Sequence, residues 1–304
     1  MAKTLIVGSV AFDAIETPQH KTEKIIGGAG TYICLAASYF TNPSIVAVVG
    51  GDFPKEYIEK LQRRGVHTEG VQIKPNEKTF FWSGKYFDNM NQRETLVTEL
   101  NVLGNFDPIL PDSYKDAEFV MLGNLSPQVQ RRVIEQLPQK PKLVVLDTMD
   151  FWIDCALEEL LKTLRMIDVI VINEEEARHL SGEYGLPQAA RKIQTMGPRY
   201  VIIKKGSHGA LLFGEGKVFS APALLLEEVI DPTGAGDTFA GGFTGYLAQR
   251  NATDFETMKS AVIVGSAMAS FTVEAMGTQA IENLSQEQIS ARVQEFRDIT
   301  SFAI

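Results

Sequence analysis

Cysteine is scarce in this 304-residue sequence, and its two copies, Cys34 and Cys155, lie far apart. Neither belongs to a Cys-x-x-Cys pair or to a metal-ligand spacing, which argues against a disulfide framework and a cysteine-based metal site. The four histidines also lack ligand spacing, so we assign them to the surface or to structural contacts. Two reduced thiols are typical of a cytoplasmic protein, and we expect that location.

Long basic and long apolar runs are also lacking. The net charge is −9 with a pI of about 5.1, and the pairs Lys204-Lys205 and Arg63-Arg64 are too short for a nucleic-acid footprint. The apolar run near the N-terminus breaks at Gly8, too early for a signal peptide or a membrane span. We therefore expect neither a nucleic-acid nor a membrane partner. The G-x-x-x-x-G-K-[ST], H-E-x-x-H and G-x-S-x-G motifs are absent as well.

What is present is a repeated alternation of apolar strands and amphipathic helices. The pattern predicts strands at 4–7, 44–49, 118–122, 142–146, 168–172 and 200–204. It predicts helices at 55–64, 127–136, 154–164 and 174–180, with two long helices at 236–249 and 255–273. Such alternation indicates an α/β fold with a mainly parallel sheet covered on both faces.

Two segments break this alternation. Residues 13–26 are too short and polar for another strand–helix unit, and residues 79–98 indicate an antiparallel hairpin around an Asp-Asn-Met-Asn turn. We interpret both as a small β lid inserted into one domain that spans residues 1–304. The hairpin aromatics either pack on each other or cover a ligand or a partner chain.

The strongest chemical signal is the segment DPTGAGDTFAGGF, residues 231–243. Its glycines permit unusual backbone conformations, and a helix is predicted to begin at Gly236 or Asp237. The amides of Gly234, Ala235 and Gly236 would then form an anion hole for phosphate. Asp237, kept ionised by the helix dipole, would be the catalytic base of a phosphoryl transfer. The alternative is an ordinary glycine-rich turn with an acidic first-turn residue.

This segment resembles the second signature of the ribokinase-like (PfkB) carbohydrate kinase family, and the resemblance covers nearly the whole chain. It implies a three-layer α/β/α sandwich with an inserted lid. In that family the residue matching Asp237 takes the proton of the attacked hydroxyl, and the amides matching residues 234–236 hold the transferring phosphate.

Two further elements carry the resemblance to the nucleotide side of the site. Asn173 and Glu176 match an Asn-x-x-Glu element, which implies contacts of Asn173 near the phosphates and of Glu176 with Mg²⁺ or its waters. Without the family, a helix N-cap followed by acidic residues explains them. Gly206 and Gly209 match a nucleotide loop, in which Lys204 replaces a threonine. Without the family, a hairpin turn explains that loop equally well.

On the acceptor side of the site, the resemblance rests on Asp13 and on the family's first signature, which includes Gly27 and Gly28. The resemblance implies that Asp13 accepts two substrate hydroxyls. Tyr32 stands where the family usually has an asparagine that contacts substrate. A tyrosine offers one hydroxyl and one stacking face instead, which favours a flatter or less polar acceptor.

These observations predict an ATP-dependent kinase of a small sugar-like substrate, with Mg²⁺ as cofactor. A nucleoside kinase on the same fold is the alternative, and a non-catalytic ligand-binding protein is a third. The resemblance also implies a monovalent cation such as K⁺ near the Asp231 loop and a homodimer formed through the lid.

Overall fold

The computed structural model describes residues 2–301. The parallel part of its main sheet contains β1 (Thr4–Val7), β4 (Ser44–Gly50), β5 (His67–Lys74), β8 (Phe119–Leu122), β9 (Leu143–Asp147), β10 (Val169–Asn173) and β11 (Tyr200–Lys204). Two antiparallel strands, β12 (Ala210–Gly214) and β13 (Lys217–Ala221), extend one edge. The order is β13-β12-β11-β10-β9-β8-β1-β4-β5. The predicted mainly parallel sheet is confirmed.

Helices cover both faces of this sheet. They are α1 (Ala29–Ala37), α2 (Lys55–Arg63), α3 (Pro127–Glu135), α4 (Asp150–Cys155), α5 (Leu157–Leu164), α6 (Glu174–Ser181), α7 (Leu186–Gln194), α8 (Ala235–Arg250), α9 (Phe255–Thr272) and α10 (Gln286–Thr300). The helix predicted at 154–164 is wrong in detail, because α4 ends at Cys155 and α5 begins two residues later. Short 3-10 turns occupy Asn101–Asn105, Asp112–Tyr114, Gly206–His208 and Gln279–Ile281.

Two apolar layers hold the sheet. Alternate strand residues face opposite layers, so Ile6 belongs to the cluster that packs against α1, α8 and α9, and Val7 to the cluster on the other face. Helices α8 and α9 consist largely of small residues, which allows close helix–helix contact around Gly242 and Gly265. Within residues 2–301, no helix combines the length and apolar character that crossing a membrane requires.

A second, four-stranded sheet forms the lid. Its strands are β2 (Ala11–Glu16), β3 (Ile25–Gly27), β6 (Phe81–Tyr86) and β7 (Arg93–Glu99), in the order β3-β2-β6-β7. The lid segments predicted near 13–26 and 79–98 thus meet in one sheet. Strand β2 follows directly on β1, so the lid rises from the carboxyl-terminal edge of the main sheet.

Candidate active site

The carboxyl-terminal ends of three adjacent parallel strands bring polar side chains together. Asp147, Asn173 and Lys204 are the last residues of β9, β10 and β11. Asn173 and Lys204 are paired in the sheet register, and Lys204 Nζ lies 3.3 Å from Asp147 Oδ1. In open parallel sheets this edge is where ligands bind.

The N-terminus of α8 faces the same edge. Gly234 caps the helix with φ of 76°, a left-handed conformation that favours glycine. Among residues 2–301, no acceptor is bonded to the amides of Gly234 and Gly236. The Ala235 amide instead donates to the Pro232 carbonyl at 3.2 Å. The predicted anion hole therefore has two free amides and one amide already engaged in a turn.

Lys204 lies directly against this helix start. A Cβ built on Gly236 would lie 2.8 Å from Lys204 Nζ. Burial by itself lowers the pKa of Lys204, but the carboxyls of Asp147, Glu176 and Asp237 outweigh it and raise that pKa. A fixed ammonium and two free amides thus surround one small space, which is suited to a phosphate group.

Asp237, in the first turn of α8, has an electrostatic environment that differs from the expected one. Burial raises the pKa of Asp237, and the nearby Asp147 raises it further, against the opposing effects of Lys204 and Arg93. The helix dipole was expected to keep this carboxyl ionised. That expectation is corrected here, because burial and the neighbouring acids have a larger effect on the pKa of Asp237 than the dipole. The raised pKa makes Asp237 a stronger base than an exposed aspartate.

Asn173 and Glu176 form a complete capping box at the start of α6. The Asn173 side chain accepts from the Glu176 amide, and Glu176 Oε2 accepts from the Asn173 amide, both at 2.8 Å. Glu176 is only 7% exposed, and burial together with Asp147 raises its pKa to about 7. One oxygen of Glu176 remains without a protein donor among the described residues.

The same region also contains carboxylates that could contact the waters of a divalent cation. Within residues 2–301, no group of three or more His, Cys, Asp or Glu side chains could hold a metal ion. Asp147 and Glu176 nevertheless form a buried acidic pair next to the phosphate space. This arrangement fits a hard cation that keeps its waters and binds mainly through phosphate oxygens.

The loop that contains Gly206 and Gly209 is a tight turn between β11 and β12. The Lys205 amide donates to the Gly209 carbonyl at 2.7 Å, so the hairpin interpretation of this loop is confirmed. A Cβ on Gly206 would lie 2.7 Å from Asn91 Oδ1, which belongs to the lid hairpin. The lid tip therefore contacts the predicted nucleotide loop.

On the acceptor side, Asp13 lies in β2 and is 4% exposed. A Cβ on Gly27 would lie 1.8 Å from Asp13 Oδ2, so only glycine at position 27 leaves room for this carboxyl. Burial raises the pKa of Asp13 to about 7, although the Gly28 amide and Arg93 oppose the shift. Asp13, Gly27 and Gly28 are thus brought together as predicted from the sequence.

Tyr32 has a different position from the predicted one. It lies inside α1, is 1% exposed, and its ring packs beneath Gly234, where a Cβ would lie 2.5 Å away. The stacking face expected for a substrate is therefore covered by the helix cap. Its hydroxyl is buried without a hydrogen-bond partner among residues 2–301. Tyr32 thus packs beneath the N-terminus of α8.

The sequence interpretation missed several residues of the site. Asp147 carries the clearest missed signal, because it is an acid at the end of an apolar strand. Tyr86 is one of the hairpin aromatics, and Thr233 Oγ1 donates to its hydroxyl at 3.1 Å, a bond that links the lid to the 231–237 loop. Arg93 was not singled out, although it affects the pKa of Asp13 and of Asp237.

Replacing Asp13 by Asn is expected to stabilise the protein at pH 8 and to have little effect near pH 4. The pKa of Asp13 in the folded state, about 7, lies above the ordinary value of 3.8, so the folded protein binds this proton more tightly than the unfolded chain does. The stabilisation from the protonated Asp13 is therefore fully present below about pH 4 and is lost as pH rises through 7. Asn remains neutral throughout. Urea unfolding should show a gain of about 2–4 kcal/mol at pH 8.

The matched control for this experiment is Asp52→Asn. Burial alone would raise the pKa of Asp52, but bonds from the Thr79 hydroxyl and amide outweigh it and lower that pKa. The Asp52→Asn variant should therefore lose stability at pH 8. Equal stability of wild type and Asp13→Asn at both pH values would contradict the buried, proton-binding state of Asp13.

Comparisons with known proteins agree with this geometry. Residues 1–284 match the pfkB family carbohydrate kinase. The chain belongs to this family. It is 28% identical to the cytidine kinase of Thermococcus kodakarensis over 257 residues, covering 82% of this chain and 90% of that protein. It is 27% identical to a nucleoside kinase of Methanothermobacter thermautotrophicus over 307 residues, covering 90% of each.

Solved structures show the same fold. The nucleoside kinase of Methanocaldococcus jannaschii, an archaeal member of the ribokinase family, superposes with a TM-score of 0.77 at 21% identity, covering 97% of this chain and 99% of that one. The pfkB carbohydrate kinase described here has the predicted ribokinase-like fold, with the small antiparallel sheet as its lid. It is an ATP-dependent kinase of sugar-like or nucleoside substrates and uses a divalent metal with ATP.

Proposed function

We propose that this kinase transfers the γ-phosphate of ATP to the primary hydroxyl of a ribonucleoside, with Asp237 as the base. The observation that carries the proposal is the start of α8, where Asp237 lies beside the free amides of Gly234 and Gly236 and the ammonium of Lys204. Asn173, Gly206 and Gly209 hold ATP on one side of this point, and Asp13, Gly27 and Gly28 hold the acceptor on the other.

The transfer exchanges one phosphorus–oxygen bond for another. The acceptor oxygen forms a bond to the γ-phosphorus, and the bond between that phosphorus and the β–γ bridging oxygen breaks, which leaves ADP. The hydroxyl proton passes to the carboxylate of Asp237. The amides of Gly234 and Gly236 and the Lys204 ammonium bind the charge that develops on the equatorial oxygens. The Ala235 amide joins them if its bond to Pro232 opens.

Mg²⁺ is the proposed divalent cation, and it neutralises phosphate charge when bound. Glu176 and Asp147 would hold it through its waters, and the capping box keeps Glu176 fixed by its bond to the Asn173 amide.

A monovalent cation such as K⁺ is proposed beside Asp231, whose two oxygens already accept from the amides of Thr233 and Gly277. Activity in potassium against tetramethylammonium salts would test that site.

The assignment of a nucleoside as acceptor depends on the side chains of the lid. In the sheet register Asp13 lies opposite Trp82, and side chains opposite each other project from the same face. The Trp82 ring lies over Gly84, where a Cβ would be 2.1 Å from it, and its Nε1 donates to Thr95 Oγ1 at 3.3 Å. A ribose diol on Asp13 would therefore leave an attached base next to a fixed aromatic surface. The cytidine and nucleoside kinases among the relatives support the same class.

Cytidine, inosine and adenosine are expected to exceed ribose and fructose in kcat/KM by about 10²-fold, because base stacking contributes about 1–3 kcal/mol beyond the sugar contacts. The test titrates these five acceptors with Mg·ATP, using wild type and Trp82→Leu. The variant should lose about 10-fold or more on nucleosides and little on ribose. The control is Phe87→Leu, an exposed aromatic at the lid tip.

A preference for ribose or fructose by wild type would contradict the nucleoside assignment. An unchanged ratio of nucleoside to ribose activity in Trp82→Leu would remove Trp82 from recognition. Tyr32→Asn is a useful third variant, because a buried Tyr32 predicts loss of stability from the cavity under Gly234 rather than a gain on simple sugars.

We also propose a homodimer that forms through the lid. Strand β7 pairs only with β6 within the described chain, and all of its residues are exposed, including Leu96 and Val97. A free, partly apolar edge strand is a surface that a second copy can cover. Sedimentation over a range of concentrations tests this.

The proposed location is the cytoplasm, where ATP is available and where the two free thiols would stay reduced.

A further inference from the structure

The inner face of the lid carries a cation toward the phosphate space. Arg93 is the register partner of Tyr86, so both side chains project from the same face of the lid sheet. Tyr86 is 4% exposed and bonds to Thr233 in the loop that leads into α8. The side chain opposite Tyr86 is therefore directed to the same loop.

A second contact fixes the lid from the other side. Asn91, two residues before Arg93, lies against Gly206 of the nucleotide loop. Arg93 thus stands between two points at which the lid touches the body, one at the nucleotide loop and one at the start of α8. The space between those points is the space in which we propose that the γ-phosphate binds.

Arg93 has no fixed anionic partner. Within residues 2–301, no carboxylate lies within ion-pair distance of its guanidinium, which remains exposed and lies 5.7 Å from the Trp82 ring. Burial raises the pKa of Asp13, Asp147 and Asp237, and the charge of Arg93 opposes that shift in all three, so its charge reaches the centre of the site. A guanidinium that has no carboxylate partner and faces a polyphosphate site is suited to bidentate phosphate binding.

We propose that Arg93 is a catalytic residue carried by the lid, which binds the γ-phosphate of ATP when the lid is closed. Lys204 supplies a permanent cation from the sheet, and Arg93 supplies the second cation only in the closed state. Phosphoryl transfer is therefore fast only when the lid is closed, and transfer of the phosphate to water is suppressed while the lid is open. This inference rests on the proposed position of the phosphate at Gly234 and Gly236.

The experiment compares Arg93→Gln and Arg93→Lys with Lys85→Gln. Lys85 is the matched control, because it lies next to Tyr86 on the opposite lid face and forms a partly exposed ion pair with Glu16 at 2.7 Å. Two quantities are measured for each protein: kcat with cytidine and with ribose, and the affinities for ADP and for the non-hydrolysable analogue AMP-PNP without acceptor. Circular dichroism verifies that each variant is folded.

Arg93→Gln should lower kcat about 10²-fold and weaken AMP-PNP about 5-fold or more, with ADP affinity unchanged. Arg93→Lys should retain an intermediate rate, because lysine keeps the positive charge but cannot form the two parallel hydrogen bonds of a guanidinium. Added guanidinium ion should restore part of the rate of Arg93→Gln and none of that of Asp237→Asn. Lys85→Gln should match wild type.

The proposal is overturned if Arg93→Gln matches Lys85→Gln in kcat and in the ratio of AMP-PNP to ADP affinity, while Asp237→Asn is inactive. If Asp237→Asn and Gly236→Val are themselves as active as wild type, the proposed phosphate position is wrong. The two failures are therefore distinguishable.

Discussion

Replacing Asp237 by Asn is expected to lower kcat about 10²–10⁴-fold and to leave ADP affinity nearly unchanged. Asn has the same shape, so the first turn of α8 and its free amides are preserved. It cannot accept the hydroxyl proton, although it still occupies the position beside Lys204. The loss should therefore appear in the chemical step and not in nucleotide binding.

Asp116→Asn is the control for this variant. Asp116 lies just before β8, at the amino-terminal edge of the sheet opposite the site, and pairs with Lys3 at the surface. Steady-state rates, ADP affinity and the unfolding midpoint are measured for both proteins. An Asp237→Asn enzyme within a few-fold of wild type would remove Asp237 from the role of base.

Gly236→Val is expected to lower kcat/KM for ATP about 10³-fold without unfolding the protein. A Cβ at this position would meet Lys204 Nζ at 2.8 Å, and the two methyl groups would extend into the proposed phosphate space. Gly236 is partly exposed and its φ is not positive, so the backbone tolerates a side chain. The close contact is with the flexible end of Lys204, which can move.

Two variants bracket this effect. Gly236→Ala displaces Lys204 but adds no further bulk, so it should retain more activity than Gly236→Val. Gly104→Val is the remote control, because a Cβ there meets only the Leu100 Cβ at 3.6 Å. Normal ATP turnover by Gly236→Val, with an unfolding midpoint close to that of wild type, would show that the phosphate binds elsewhere.

The alternation of strands and helices could be predicted because each parallel strand is buried on both faces and reads as an apolar run. The 231–237 loop could be predicted because its glycines, helix start and acid are contiguous in sequence. Strand β5 was missed because HTEGVQIK lacks such a run: it lies at the sheet edge and is largely solvated. The break between α4 and α5 was missed for a similar local reason, since Ala156 carries no breaker signal.

The lid contacts could not be predicted from sequence. Which residues of β6 and β7 face the site depends on a register that includes an irregularity between Ser83 and Gly84. A shift of one residue would turn Tyr86 and Arg93 outward. The position of Tyr32 depends in the same way on packing between α1 and α8, two helices that are separated by about two hundred residues of chain. A motif match identifies that position but not the direction of its side chain.

The most direct test of the account follows the γ-phosphate of ATP. Wild type and Asp237→Asn are incubated with Mg²⁺, γ-labelled ATP and cytidine, and the labelled products are separated and identified by mass. The proposed mechanism predicts label on the primary hydroxyl of cytidine with wild type, and almost none with the variant at equal enzyme concentration. Label recovered only as inorganic phosphate, or transfer at equal rates by the two proteins, would contradict it.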